Sequence, residues 1–66
     1  MNLHVNGAVQ QLPAPCSLAQ LIEQLRLGGK RLAVERNGAI VPRSTYADTW
    51  LAEGDRLEIV QAIGGG

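Results

Sequence analysis

Glu53-Gly54-Asp55-Arg56-Leu57-Glu58-Ile59-Val60-Gln61 is the stretch whose reading decides the fold. Glu53-Gly54-Asp55 reads as a turn, and a strand follows from Arg56 to Gln61 with Leu57 and Ile59 on one face. Val60 and Ala62 fall on the other face beside Glu58. Apolar residues on both faces suit a strand in the middle of a sheet rather than at its edge. Such a strand needs a neighbour on each side, and both must come from the residues that precede it.

Two hairpins supply them. Met1, Leu3 and Val5 alternate with Asn2 and His4, the pattern of a half-buried strand. Asn6-Gly7 then calls for a type I′ turn, because both central positions need positive φ. A two-residue loop sets Val5 opposite Ala8 and Met1 opposite Leu12, so Ala8 to Leu12 returns as the second strand. Gln10 falls on the inward side, which implies either a place at the sheet margin or a bulge. The second hairpin runs from Leu32 to Arg36, with Leu32 and Val34 inward, through Asn37-Gly38 to Ala39 to Val41. Pro42 stops it.

A helix separates the hairpins. Pro13-Ala14-Pro15 breaks the ladder, and Ser17 with Gln20 makes a capping box, flanked by Cys16 and Leu21 at the two positions of a hydrophobic staple. Leu18, Leu21, Ile22 and Leu25 form one apolar stripe of a helix about ten residues long. Gly28-Gly29 is expected to stop it, with Arg26, Lys30 and Arg31 near its negative end. Arg43 to Leu51 has no clear period and reads as a loop containing a helical turn, anchored by Tyr46, Trp50 and Leu51. One helix covers only one face of a sheet. The last strand therefore inserts between the first and third, parallel to the first. The expected fold is α+β, a β-grasp (ubiquitin-like) domain over residues 1–61, with a mixed sheet of four to five strands and one main helix. Its outer face stays uncovered and partly apolar, a natural docking surface.

Composition narrows the function. A chain of 66 residues makes one domain. Six basic residues offset six acidic ones, so no field draws it to nucleic acid or an anionic membrane. A single cysteine rules out an internal disulfide framework. The beginning of the chain lacks the plan of a signal peptide, and no apolar run is long enough to span a bilayer, so a cytoplasmic setting is expected.

The most informative functional stretch is Gly64-Gly65-Gly66. Glycine presents the thinnest and most pliable backbone, and residues 62–66 are expected to form a flexible tail ending in a free carboxylate. Five extended residues at about 3.3 Å each reach roughly 16 Å, enough to thread a narrow active site while the folded body stays outside. Side-chain chemistry is sparse by comparison. Cys16 fits its staple position as a small hydrophobe, though a helix N-terminus could also lower its pKa. His4 stands alone on an outward face, and a metal needs several converging ligands. Asn6-Gly7 and Asn37-Gly38 are turns, since neither opens a helix as a phosphate-binding loop would. Arg43 reads equally as a partner contact and as a solvated side chain. Val60 and Ala62 read as part of a partner patch or as residues under an unplaced loop.

Three segments in this order carry a resemblance: Asn37-Gly38-Ala39-Ile40-Val41-Pro42-Arg43, then Glu53-Gly54-Asp55-Arg56-Leu57-Glu58-Ile59, and the ending Gln61-Ala62-Ile63-Gly64-Gly65-Gly66. Together they make the chain resemble the ThiS family of small sulfur carriers in thiamine (thiazole) biosynthesis, over essentially its whole length. The related small subunits of molybdopterin synthase share the fold and a Gly-Gly end, but are usually longer and lack the Val-Pro-Arg segment. The resemblance implies that the Gly66 carboxyl is adenylated by a ThiF-like, ubiquitin-activating-type enzyme that uses ATP and magnesium. A persulfide sulfur from a cysteine desulfurase or rhodanese then yields a thiocarboxylate, which a ThiG-like thiazole synthase accepts. It further implies that Ile63, Gly64 and Gly65 are the threaded tail, that Arg43 contacts a partner, and that the carrier is a co-substrate with no cofactor or metal of its own. The alternatives are a carrier for molybdopterin or another pathway, a non-covalent ubiquitin-like binding module, and an enzyme built on Cys16.

Overall fold

The first hairpin pairs β1 (Asn2–Val5) with β2 (Ala8–Gln11) in antiparallel register, Val5 opposite Ala8 and Leu3 opposite Gln10. The computed structural model to which these elements belong describes residues 1–13 and 15–61. Asn6 and Gly7 both take positive φ, 52° and 83°, as a type I′ reversal requires. Met1 and Leu12 close the far end: the Met1 amino group donates to the Leu12 carbonyl (2.7 Å) and the Leu12 N–H returns to the Met1 carbonyl (2.8 Å). The ladder is continuous, so Gln10 does face inward and sits half-buried at the sheet margin without a bulge.

The helix α1 (Leu18–Gln24) starts where the sequence places it. Ser17 Oγ accepts from the Gln20 N–H and Gln20 Oε1 accepts from the Ser17 N–H, a complete capping box. It ends sooner than expected, after seven residues rather than about ten. Arg26, not the Gly28-Gly29 pair, is the stop: it adopts φ 60°. The Leu27 N–H bonds back to the Ile22 carbonyl and the Arg26 N–H to the Glu23 carbonyl, which is a Schellman closure with arginine in the left-handed position.

β3 (Leu32–Arg36) turns at Asn37-Gly38 into the short β4 (Ala39–Ile40), and β5 (Arg56–Gln61) completes the sheet. The strand order is β2-β1-β5-β3-β4, with β5 parallel to β1 and antiparallel to β3. A five-stranded mixed sheet with one helix on one face is the ubiquitin-like β-grasp. Leu3, Val5, Val34, Leu57 and Ile59 from the sheet share a core with Leu18, Leu21 and Ile22 from α1, joined by Leu12, Cys16 and Leu51. Between β4 and β5 lies a 3₁₀ helix, Arg43–Asp48. Backbone hydrogen bonds hold the segment after it against the start of α1: the Leu18 N–H donates to Thr49, and the Leu51 N–H donates to Cys16. Tyr46 and Leu51 anchor it as expected, but Trp50 does not. Its side chain is 59% exposed, because the bridge to Ser17 turns it away from the core.

The N-terminal end of β5 is fixed by Asp55, a buried carboxylate. Its oxygens accept from Arg36 Nε (2.9 Å), Asn37 Nδ2 (3.0 Å) and the Ala52 N–H (2.8 Å), with Arg36 Nη2 also at 2.8 Å. Burial pushes the Asp55 carboxyl up. The Ala52 N–H, the Asn37 amide and the Arg36 guanidinium more than reverse this and hold it below the ordinary 3.8.

Two predictions concern stability. Arg26→Gly should stabilise the fold by about 1 kcal/mol, since only glycine occupies the left-handed region without a Cβ clash. Urea unfolding that shows no gain would mean the arginine is not strained there. A depressed carboxyl contributes stability above its unfolded pKa, and loses it as pH falls through the lower folded value. Asp55→Asn should therefore cost about 2 kcal/mol at pH 7, with the gap from the wild type closing below about pH 4. A gap that stays constant from pH 7 to pH 3 would remove the ionised carboxylate from the explanation.

Candidate functional site

β5 is bordered by strands that run out before it does. The last registered pair with β1 is Val5 with Leu57, and the Asn6 N–H then donates to the Leu57 carbonyl at 2.9 Å. Beyond this the β1 backbone turns away at Gly7. The Asn6 side chain takes over: Oδ1 accepts from the Ile59 N–H at 2.7 Å and Nδ2 donates to the Ile59 carbonyl at 3.0 Å. One primary amide thus replaces a missing residue of ladder. At the opposite end of β5, Asn37 Oδ1 accepts from the Arg56 N–H at 2.9 Å while its own N–H donates to the Arg56 carbonyl at 2.7 Å. Sequence reasoning took both asparagines as turn formers only. The signal for more was present, because an asparagine carries a donor and an acceptor in the spacing of a peptide group.

The face of the sheet opposite α1 is open. By register, Val60 lies beside Ala33, Glu58 beside Glu35, and Glu35 beside Ile40. Val60 is 59% exposed and Ile40 69% exposed, so two large apolar side chains flank a pair of like-charged carboxylates. Like charges directly opposite one another weaken a sheet slightly. Val60 is thus where the sequence put it, on the uncovered face. Ile40 was missed, although the Asn37-Gly38 turn fixes it opposite the outward Glu35. Arg43 is exposed and opens the 3₁₀ helix just after Pro42, three residues from Ile40 in sequence. Ala62, Ile63, Gly64, Gly65 and Gly66 lie outside the described residues.

The other candidates resolve simply. Cys16 is buried at its staple position, and burial pushes its thiol up from 9.0 rather than down. A raised pKa leaves little thiolate, in keeping with the place of Cys16 in the hydrophobic core. His4 is exposed on its strand. Among the described residues there is no cavity and no group of three or more side chains suited to a metal. No described helix is long and apolar enough to cross a membrane.

Comparison with known proteins agrees with this picture. The model of the ThiS family matches residues 3–66. The chain is 42% identical over its full length to a thiazole synthase of Paramagnetospirillum magneticum, and 41% identical to that of Magnetococcus marinus. It spans only about a fifth (20%) of the length of each. Among solved structures, it superposes on the crystal structure of the thiamine biosynthesis protein (ThiS) from Geobacter metallireducens. The TM-score is 0.85 and the identity 29%, with both chains covered completely. A five-stranded β-grasp leading into a glycine run and matched to the family from Leu3 to Gly66 leads to one conclusion: the chain belongs to the ThiS family.

Proposed function

We propose that this chain is a sulfur carrier for thiazole formation, and that its working group is the carboxyl of Gly66. The observation that carries this reading is the family match reaching through residues 64–66, the glycines that follow a β-grasp body. A carboxylate is a poor electrophile, since its charge is delocalised and oxide does not leave. In the proposed sequence a ThiF-like partner, which binds the ATP and magnesium, joins a Gly66 oxygen to the α-phosphorus and expels pyrophosphate. A persulfide sulfur, derived from a cysteine desulfurase or rhodanese, attacks the acyl carbon and displaces AMP. A thiol then cleaves the resulting acyl disulfide and leaves the thiocarboxylate. In this reading the carrier contributes no acid, base or metal, and its partners supply the chemistry. It acts as a co-substrate rather than an enzyme, in the cytoplasm.

The relatives called thiazole synthases support a ThiG-like acceptor for that sulfur, rather than a molybdopterin pathway. The folded body would dock through the open sheet face. Val60 and Ile40 offer apolar contact, Ala62 would extend the patch, and Arg43 stands close to it in sequence. Glu35 and Glu58 favour a partner that brings a basic side chain between them. Ile63, Gly64 and Gly65 would occupy the partner's slot, where the bare backbone of the glycines lets nucleotide and protein approach from both sides.

Incubation with the activating enzyme, ATP and a sulfur source should give an intact mass in which one oxygen of the chain is exchanged for one sulfur. An unchanged mass would point instead to a non-covalent binding module. Gly65→Val should abolish this exchange while leaving the unfolding transition unchanged, and full exchange in that variant would sink the threading argument. Val60→Asp, a change on an exposed position, should weaken binding of the activating enzyme by about tenfold or more. Unaltered affinity would move the docking surface elsewhere.

A further inference from the structure

Ile59 is the last residue of β5 whose backbone is tied on the β1 side by Asn6, and it stands two residues before the end of the strand that leads into residues 62–66. On the other side β3 still accompanies β5, Ala33 beside Val60 and Leu32 beside Gln61. Without the Asn6 amide, the segment from Ile59 to Gln61 would be held along one edge only. A strand end held on one edge frays readily, and its ordering must then be supplied on binding.

Asn37 provides the comparison inside the same molecule. It has the same residue type, the same Asn-Gly turn and nearly the same backbone, φ 51° against 52°. Its amide also reaches β5, at Arg56, and additionally donates to Asp55. The two amides differ in where they act: Asn37 secures the end of β5 that is entered from the Glu53–Asp55 turn, and Asn6 secures the end toward Gly66.

We propose that Asn6 is a positioning residue, whose side-chain amide fixes Ile59 so that the end of β5, Ile59 to Gln61, is presented to the activating partner already ordered. This assignment rests on the sulfur-carrier reading. Asn6 touches no reacting atom, and its effect passes through the backbone of β5. Loss of pre-ordering falls on the binding step and is the same in ground and transition states, so it appears in KM and not in kcat.

The test pairs Asn6→Gly with Asn37→Gly. Glycine keeps the positive φ of each turn and removes only the amide. Both variants are compared with the wild type at a temperature where all three are folded, reading the rate of thiocarboxylate formation against carrier concentration. Asn6→Gly should raise the KM for the carrier about fivefold with kcat within about twofold, while amide exchange quickens at Ile59 and Val60. Asn37→Gly should lower the melting temperature at least as much, because it also strips a partner from Asp55, yet leave KM as in the wild type. Equal KM values for Asn6→Gly and the wild type, or equal increases in both variants, would overturn the positioning role and make Asn6 purely structural. A wild-type chain that gains no sulfur would instead overturn the functional reading, and this assignment with it.

Discussion

The structure depends on completing the hydrogen bonds of one strand. β5 lies between β1 and β3, and its buried side chains Leu57 and Ile59 form much of the floor under α1. A central strand has polar backbone groups along both edges, and any left unpaired in a covered position weakens the fold. Neither neighbour is long enough on its own. The fold finishes the strand with side chains: Asn6 at Ile59, Asn37 at Arg56, and Asp55 gathering Arg36, Asn37 and the Ala52 N–H at the entry. The two hairpin turns therefore have a second task besides reversing the chain.

Much of the architecture was legible in the sequence because it follows from period and turn chemistry. Alternation gave the faces of β1 and β5, Asn-Gly gave both hairpins and the register of the first, and Ser17 with Gln20 gave the start of α1. The helix end was not legible. Gly28-Gly29 is the stronger stop signal, but the closure at Arg26 is decided by where Leu27 can reach the Ile22 carbonyl, which is a property of packing. Trp50 shows the same limit. A large aromatic near a buried leucine suggests burial, and only the bridge to Ser17 reveals that it points outward. At the candidate site, Val60 was placed correctly from alternation alone. The amide of Asn6 advertised a spare donor and acceptor, but not which strand they serve, because Ile59 lies far away in sequence and is brought near by the parallel insertion of β5.

The molecule divides its labour by face. The helix side is sealed by aliphatic side chains. The open side carries Val60 on the central strand and Ile40 on the edge strand, beside the carboxylates of Glu58 and Glu35, a composition that on the proposed reading suits contact with a complementary surface. On the sulfur-carrier reading, such a division would let a chain with no pocket among its described residues be recognised by its partners. Recognition needs only a surface, and the chemistry can be left to whatever protein the surface meets.

The burial of Cys16 has a consequence for a protein that would move among persulfide donors. A solvent-facing thiolate would compete for that sulfur: attack on the outer sulfur would release the donor's thiolate and leave a persulfide on the body of the molecule, far from the acyl carbon. Enclosed in the core and held in its protonated form, the thiol is withdrawn from that competition. A sulfur carrier built this way would meet its donors without offering them a second thiolate, and still use cysteine as ordinary packing material.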